Sequence, residues 1–156
     1  MDTGRSVLVV GTTDDALSSL AADAGDAPAV AALADTTPQA LLERWESSGV
    51  ASPSRIVTLG ADAPTDCAVP VESASGPADL AAALRAGLED RAEAAVYVDA
   101  VDAFADALGP ERTFRLLHVL TRGHTYAGGS AYARAPPDAD PALVDILVPL
   151  FDAVER

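Results

Sequence analysis

Short apolar runs alternate along this chain with segments of helical periodicity, and that alternation restricts the fold more than any other feature. The runs are 7–11 (Val-Leu-Val-Val-Gly), 29–33 (Ala-Val-Ala-Ala-Leu), 55–59 (Arg-Ile-Val-Thr-Leu), 69–72, 95–99 and 130–134. Each suits a buried strand and is too short for a helix. Parallel neighbours need crossover connections, and the intervening helices supply them. The pattern predicts an α/β fold: three layers, α/β/α, around a mostly parallel sheet. Strand order does not follow from it.

The helices carry their own start signals. Leu17 and Leu20 mark the first, and Leu41, Leu42 and Trp45 mark the second. Thr37 is the expected N-cap of that second helix, with Pro38 in its first turn. Leu80, Leu84 and Leu88 form an i, i+4 stripe in a third, which starts near Ser75-Gly76-Pro77. Phe114, Leu117 and Leu120 anchor a fourth. The fifth is expected to start at Asp140-Pro141 and to run its apolar face from Leu143 to Val154. Pro149 lies inside it and predicts a kink or break. Gly49–Ser54, Gly60–Asp66, Gly123–Gly129 and Pro136–Asp140 read as connections, none of them an interdomain linker.

Residues 1–156 therefore read as one domain, large enough to bury a substantial core. With 24 acidic and 10 basic residues the net charge is −14, and all ten basic residues are arginine. Such a surface disfavours nucleic acid or an anionic membrane as a partner. It also repels itself unless salt screens it, which predicts a very salty cytosol. Cys67 is the sole cysteine, so neither an intrachain disulfide nor a cysteine zinc cluster can form; it reads as a small core residue. The N-terminal apolar run is too short for a signal peptide, and no stretch has the ~18–20 apolar residues of a membrane span. The expected location is the cytoplasm.

The first strand breaks at Gly11, where a phosphate-binding loop would be expected, and the fifth run ends in Asp99, the position of a magnesium-handling acid in nucleotide hydrolases. A working loop needs glycines that cradle phosphate, a lysine that neutralises it and a Ser/Thr for the metal. Here the residues are Gly11-Thr12-Thr13-Asp14-Asp15, and the chain contains no lysine. Asp14 and Asp15 already supply the anion a helix N-terminus favours and would repel a phosphate. With Asp99 they distantly imitate the acidic pocket of phosphoryl-receiver domains, without the lysine that completes it. Asp99 otherwise reads as a residue bonded to the next turn, and Asp102 and Asp106 as a solvated face. His118 is expected to be packed or hydrogen-bonded on its apolar helix, and His124 to lie in a loop. Gly128-Gly129 precedes a strand and reads as a turn.

Residues 94–104 (Ala-Ala-Val-Tyr-Val-Asp-Ala-Val-Asp-Ala-Phe), the helix Thr113-Phe114-Arg115-Leu116-Leu117-His118-Val119-Leu120-Thr121 and the segment Leu150–Glu155 resemble a family of uncharacterised RecA/KaiC-like proteins of halophilic archaea. Thr36–Trp45 and Val57–Gly60 are similar to its earlier half. The resemblance implies a RecA/KaiC-like core with Asp99 at the Walker B position. It places Gly11, Thr12 and Thr13 in a degenerate nucleotide loop. It further implies a non-hydrolysing regulatory or protein-interaction domain that needs no cofactor and can self-associate. The rival is an atypical nucleotide-binding enzyme. In it Asp99 would hold Mg, and an arginine, Arg122 or Arg134, would meet the phosphates of ATP in place of the missing lysine. What separates the two is whether an arginine points into the crevice between strands 7–11 and 95–99, and what it does there.

Overall fold

The computed structural model describes residues 4–24, 28–34, 36–49, 52–59, 69–88, 94–124 and 129–156. Seven strands form one sheet: β1 (Ser6–Val10), β2 (Ala29–Leu33), β3 (Arg55–Leu59), β4 (Val71–Ala74), β5 (Ala95–Asp99), β6 (Ser130–Ala135) and β7 (Ala153–Glu155). The helices are α1 (Thr13–Ala24), α2 (Pro38–Ser48), α3 (Pro77–Leu88), α4 (Val101–Leu108), α5 (Pro110–Val119) and α6 (Pro141–Leu147). Strand order is β4-β3-β2-β5-β6-β1-β7, and every pairing is parallel. The expected α/β architecture is the observed one.

Side chains alternate across the pleat and divide the core in two. Val7, Val9, Ala31, Leu33, Ile56, Tyr97 and Tyr132 meet α1 and α2 through Leu17, Leu20, Leu41 and Trp45. Leu8, Val30, Ala32, Val57, Val96, Val98 and Ala133 meet α3 to α6 through Leu80, Leu84, Phe104, Leu117 and Leu147. Many sheet positions are alanine or valine, so helix backbones approach closely. At Gly87 an added Cβ would come within 3.3 Å of Val30.

Local signals operate as their chemistry dictates. Thr37 caps α2, its hydroxyl accepting from the Ala40 N–H, and Gly49 ends that helix at φ +80°. Asp140 caps α6 through the Ala142 N–H, with Pro141 next. Ser75 donates its N–H to the Asp79 carboxylate ahead of α3.

Three expectations change. The run placed at 69–72 pairs as Val71–Ala74, two residues later. The anticipated fourth helix, with Phe114 and Leu117, is α5, and a further helix, α4, precedes it, separated because Gly109 turns at φ +89° and Pro110 starts anew. The fifth helix does not reach Val154. It ends at Leu147, a 3-10 turn (Val148–Leu150) carries Pro149, and the chain becomes β7 beside β1. Pro149 lacks a donor, and the open flank of β1 supplies pairing to the residues beyond it. Ser6 and Asp152 clamp that edge: the Asp152 N–H donates to the Ser6 carbonyl and hydroxyl, and the Ser6 N–H donates to the Asp152 carboxylate. Cys67, the Gly60–Asp66 connection and Gly128 lie outside the described residues.

Candidate functional site

β6 lies between β1 and β5, so the carboxyl ends of all three strands meet, and the chain leaves them in opposite directions. From β1 it runs to α1 on one face; from β5 and β6 it runs to α4 and α6 on the other. Open parallel sheets bind ligands at such a divide. Gly11, Thr12, Thr13 and Asp99 all border it.

Asp99 is fully buried at the end of β5. Its register partner on β6 is Arg134, whose neighbour on the other side is Val9 of β1. Arg134 therefore sits between the two strand ends, with its side chain only 15% exposed. Its Nε and Nη2 donate to Asp99 Oδ1 at 3.1 and 2.9 Å. Its Nη1 donates to the Gly11 carbonyl at 3.1 Å, across the turn where β1 ends. The other carboxylate oxygen, Oδ2, accepts from the Tyr97 hydroxyl at 2.6 Å and from the Thr13 hydroxyl at 3.0 Å. A carboxylate has about four acceptor sites. All are taken.

Electrostatics keeps Arg134 and Tyr97 as donors. Burial opposes the charge on Arg134, but its hydrogen bonds to Asp99 and the charge of Asp99 outweigh that and raise its pKa, with Asp102 adding to the effect. Burial first, then the charge of Asp99 and the bond to it, push the Tyr97 hydroxyl far above its ordinary range, so it remains a donor. Trp45 of α2 meets the Tyr97 ring edge-on at 5.8 Å.

The Gly11–Asp15 turn is closed on itself. The Thr12 N–H donates to Asp15 Oδ2 at 3.0 Å, and the Asp15 N–H donates to the Thr12 hydroxyl at 3.1 Å. This reciprocal capping box satisfies donors that a phosphate would otherwise meet. Those hydrogen bonds, the backbone one first, hold the Asp15 carboxyl below its ordinary range. A Cβ on Gly11 would lie 2.7 Å from the Asp15 carboxylate, so the glycine admits an internal anion. Asp14 points outward and pairs with Arg44 of α2 at 3.2 Å. The loop donor, the hydroxyl and the acid that a nucleotide and its magnesium would meet are each engaged within the chain.

The remaining candidates fall elsewhere. Arg122 is exposed on the π-helical turn Leu120–His124, outside this cluster. His118 is not packed into the core; it is exposed and stacks on Phe114 at 6.3 Å between ring centres, because its position on α5 faces away from the sheet. Asp106 is solvated as expected, whereas Asp102 is half-buried and acts on Arg134. Among the described residues no group of His, Cys, Asp and Glu is arranged to hold a metal ion. Tyr97 was missed by sequence reasoning. Its signal was the two-residue spacing to Asp99, which puts both side chains on one face of β5.

A model of the family of unknown function DUF7504 matches residues 4–155, and the chain belongs to that family. No curated protein matches the sequence. Among solved structures, the chain is similar to three from Pyrococcus horikoshii. The uncharacterised protein PH0321, crystallised in complex with an unknown peptide, is 14% identical with TM-score 0.68, covering 99% of this chain and 77% of that one. Protein PH0250 of strain OT3 is 11% identical with TM-score 0.63, covering 99% and 82%. The KaiC-like protein PH0186 is 14% identical with TM-score 0.60, covering 97% and 70%. The fold is thus that of KaiC-like proteins. Among the described residues no helix is long and apolar enough to cross a membrane.

Proposed function

We propose that this DUF7504 member is a single RecA/KaiC-like domain that neither binds nor hydrolyses ATP and works by protein interaction, in regulation or signalling. One observation carries the reading: every acceptor position of Asp99 is taken by Arg134, Tyr97 and Thr13. A magnesium ion held by Asp99 would have to displace a partly buried arginine, leaving that cation without its partner. The rival enzyme needs that same arginine on a phosphate. Here the guanidinium is spent on Asp99 and on the Gly11 carbonyl, which supports the pseudo-ATPase reading. A structural neighbour crystallised with a peptide supports an interaction role. The charge of −14 without lysine supports a haloarchaeal cytoplasm as its setting, with neither nucleic acid nor membrane as a partner.

The test is calorimetric titration of the protein with ATP and magnesium in molar KCl, with phosphate release followed in parallel. No saturable heat and no release above background are expected. Saturable binding that Asp99→Ala abolishes would overturn the proposal and install the rival.

A further inference from the structure

On the opposite face from α1, the helices α3 and α5 leave an apolar groove between them. Two adjoining cavities of about 600 and 290 Å³ form it, and they share Ala81, Leu116 and Val119 as floor and wall. Val119 is 55% exposed there, and among the described residues the only other exposed large apolar side chain is Ile146. The charged residues lining the groove, among those described, are Arg85, Arg112 and Arg115, with no carboxylate. Against a net charge of −14 this is a local reversal of sign. Arg115 reaches Glu111 along its own helix, while Arg85 and Arg112 form no ion pair among the described residues.

We propose that this groove docks an acidic amphipathic helix of a separate protein, its apolar side chains entering beside Val119 and its carboxylates meeting Arg85, Arg112 and Arg115. The lining runs along α3 from Pro77 to Leu88. At ~1.5 Å per residue that is about 18 Å, or three helical turns of an occupant. Helix-in-groove recognition uses such an apolar trough, and arginine engages carboxylates in fixed forked geometry. The net charge of the chain would repel an acidic partner from afar. In molar salt, however, the Debye length is ~3 Å, so only the contact pairs are felt. A second copy of this chain is a poor occupant. Among the described residues its other exposed large apolar side chain, Ile146, stands on the seven-residue α6 and cannot fill the groove.

The proposal rests on the interaction reading above but not on the state of the nucleotide crevice, so the two fail separately: ATP binding would leave the groove untouched. The probe is a fluorescein-labelled synthetic helix of about 12 residues. Leucines on one face are flanked by glutamates, and the control carries lysine at every glutamate. Anisotropy is read at the lowest KCl concentration at which circular dichroism shows folded protein. The acidic peptide should bind saturably, and the lysine control should not. Arg85→Glu with Arg112→Glu, and separately Val119→Glu, should each weaken binding about tenfold or more, equivalent to ~1.4 kcal/mol. Amide NMR shifts in the unaltered protein should cluster on α3 and α5, a readout that does not depend on the variants folding. No binding, equal binding of the lysine peptide, shifts centred elsewhere, or indifference to the variants would overturn the proposal. So would a concentration-dependent mass in sedimentation that Val119→Glu abolishes while the peptide fails to bind, because the groove would then belong to a second copy.

Discussion

Two regions of this molecule, the strand ends of β1, β5 and β6 and the groove between α3 and α5, are built in opposite ways. The crevice at the ends of β1, β5 and β6 stands where parallel sheets ordinarily bind, yet its polar groups are turned on one another. Arg134 and Asp99 neutralise each other, Tyr97 and Thr13 complete the acceptors, and Thr12 and Asp15 close the loop. The groove between α3 and α5 lies off that divide, yet it leaves an apolar side chain and arginines facing outward. The contrast teaches that a place in the fold does not by itself leave polar groups open: in the crevice they bond one another, whereas beside the groove Arg85 and Arg112 form no ion pair among the described residues.

The contrast breaks most readily at Arg134. Arg134→Ala strands a fully buried carboxylate, and removing one partner of such a pair costs roughly 3–5 kcal/mol. The chain should show a clearly lower midpoint in denaturant at unchanged slope. Adding Asp99→Asn should recover part of the loss, because the uncompensated charge goes with it; the cycle then gives the coupling. If Arg134→Ala kept the wild-type midpoint, the crevice would be tolerating an open acid. It would then resemble the groove, with chemistry to offer a cation.

Much of the frame was legible from sequence because it is encoded locally. Alternating runs of Val and Ala gave strands, Thr37-Pro38 and Asp140-Pro141 gave helix starts, and the break at Pro149 followed from a missing donor. The crevice was legible only in part. Gly11 and Asp99 stood out, and of the two acids read at the helix start Asp15 caps it while Asp14 pairs with Arg44. The role of Arg134 was not readable. It depends on β6 lying between β1 and β5, in the register that sets Arg134 against Asp99, and strand order is a long-range property that a local pattern does not contain. β7 was missed for the same reason: residues 153–155 look like the end of a helix until the flank of β1 is known to be open. His118 was placed wrongly because its helix is apolar on one face only, and the rotation of that face follows from packing.

A smaller effect is expected at the closed loop. Thr12→Ala removes the hydroxyl that caps α1 and should cost about 1 kcal/mol, as N-cap truncations do. The same loop predicts a sign in acid. Asp15 has its folded pKa lowered from 3.8 by the Thr12 bonds, so its contribution is present above the unfolded value and fades as pH falls through that value towards the folded one. Stability measured across this window should therefore fall less steeply in Asp15→Asn than in wild type. Equal slopes would mean that the capping bonds do not persist in solution, and the loop would be open to an outside anion.

The smallest effect should come from the groove. Val119 is more than half exposed, so Val119→Ser removes little buried apolar surface and leaves no polar atom unsatisfied. Substitutions at such positions usually change stability by no more than about 0.5 kcal/mol. The prediction is a melting curve superimposable on wild type, set beside the large loss in Arg134→Ala. Leu117, one helical step into the core and 1% exposed, is the internal control: Leu117→Ala should cost roughly 2–5 kcal/mol. A marked loss in Val119→Ser would mean that the groove closes on itself in solution and that Val119 belongs to the core. The two regions would then both be closed by the chain's own contacts. Stability indifferent to Val119 but sensitive to Arg134 would instead separate residues held for folding from residues the fold does not need.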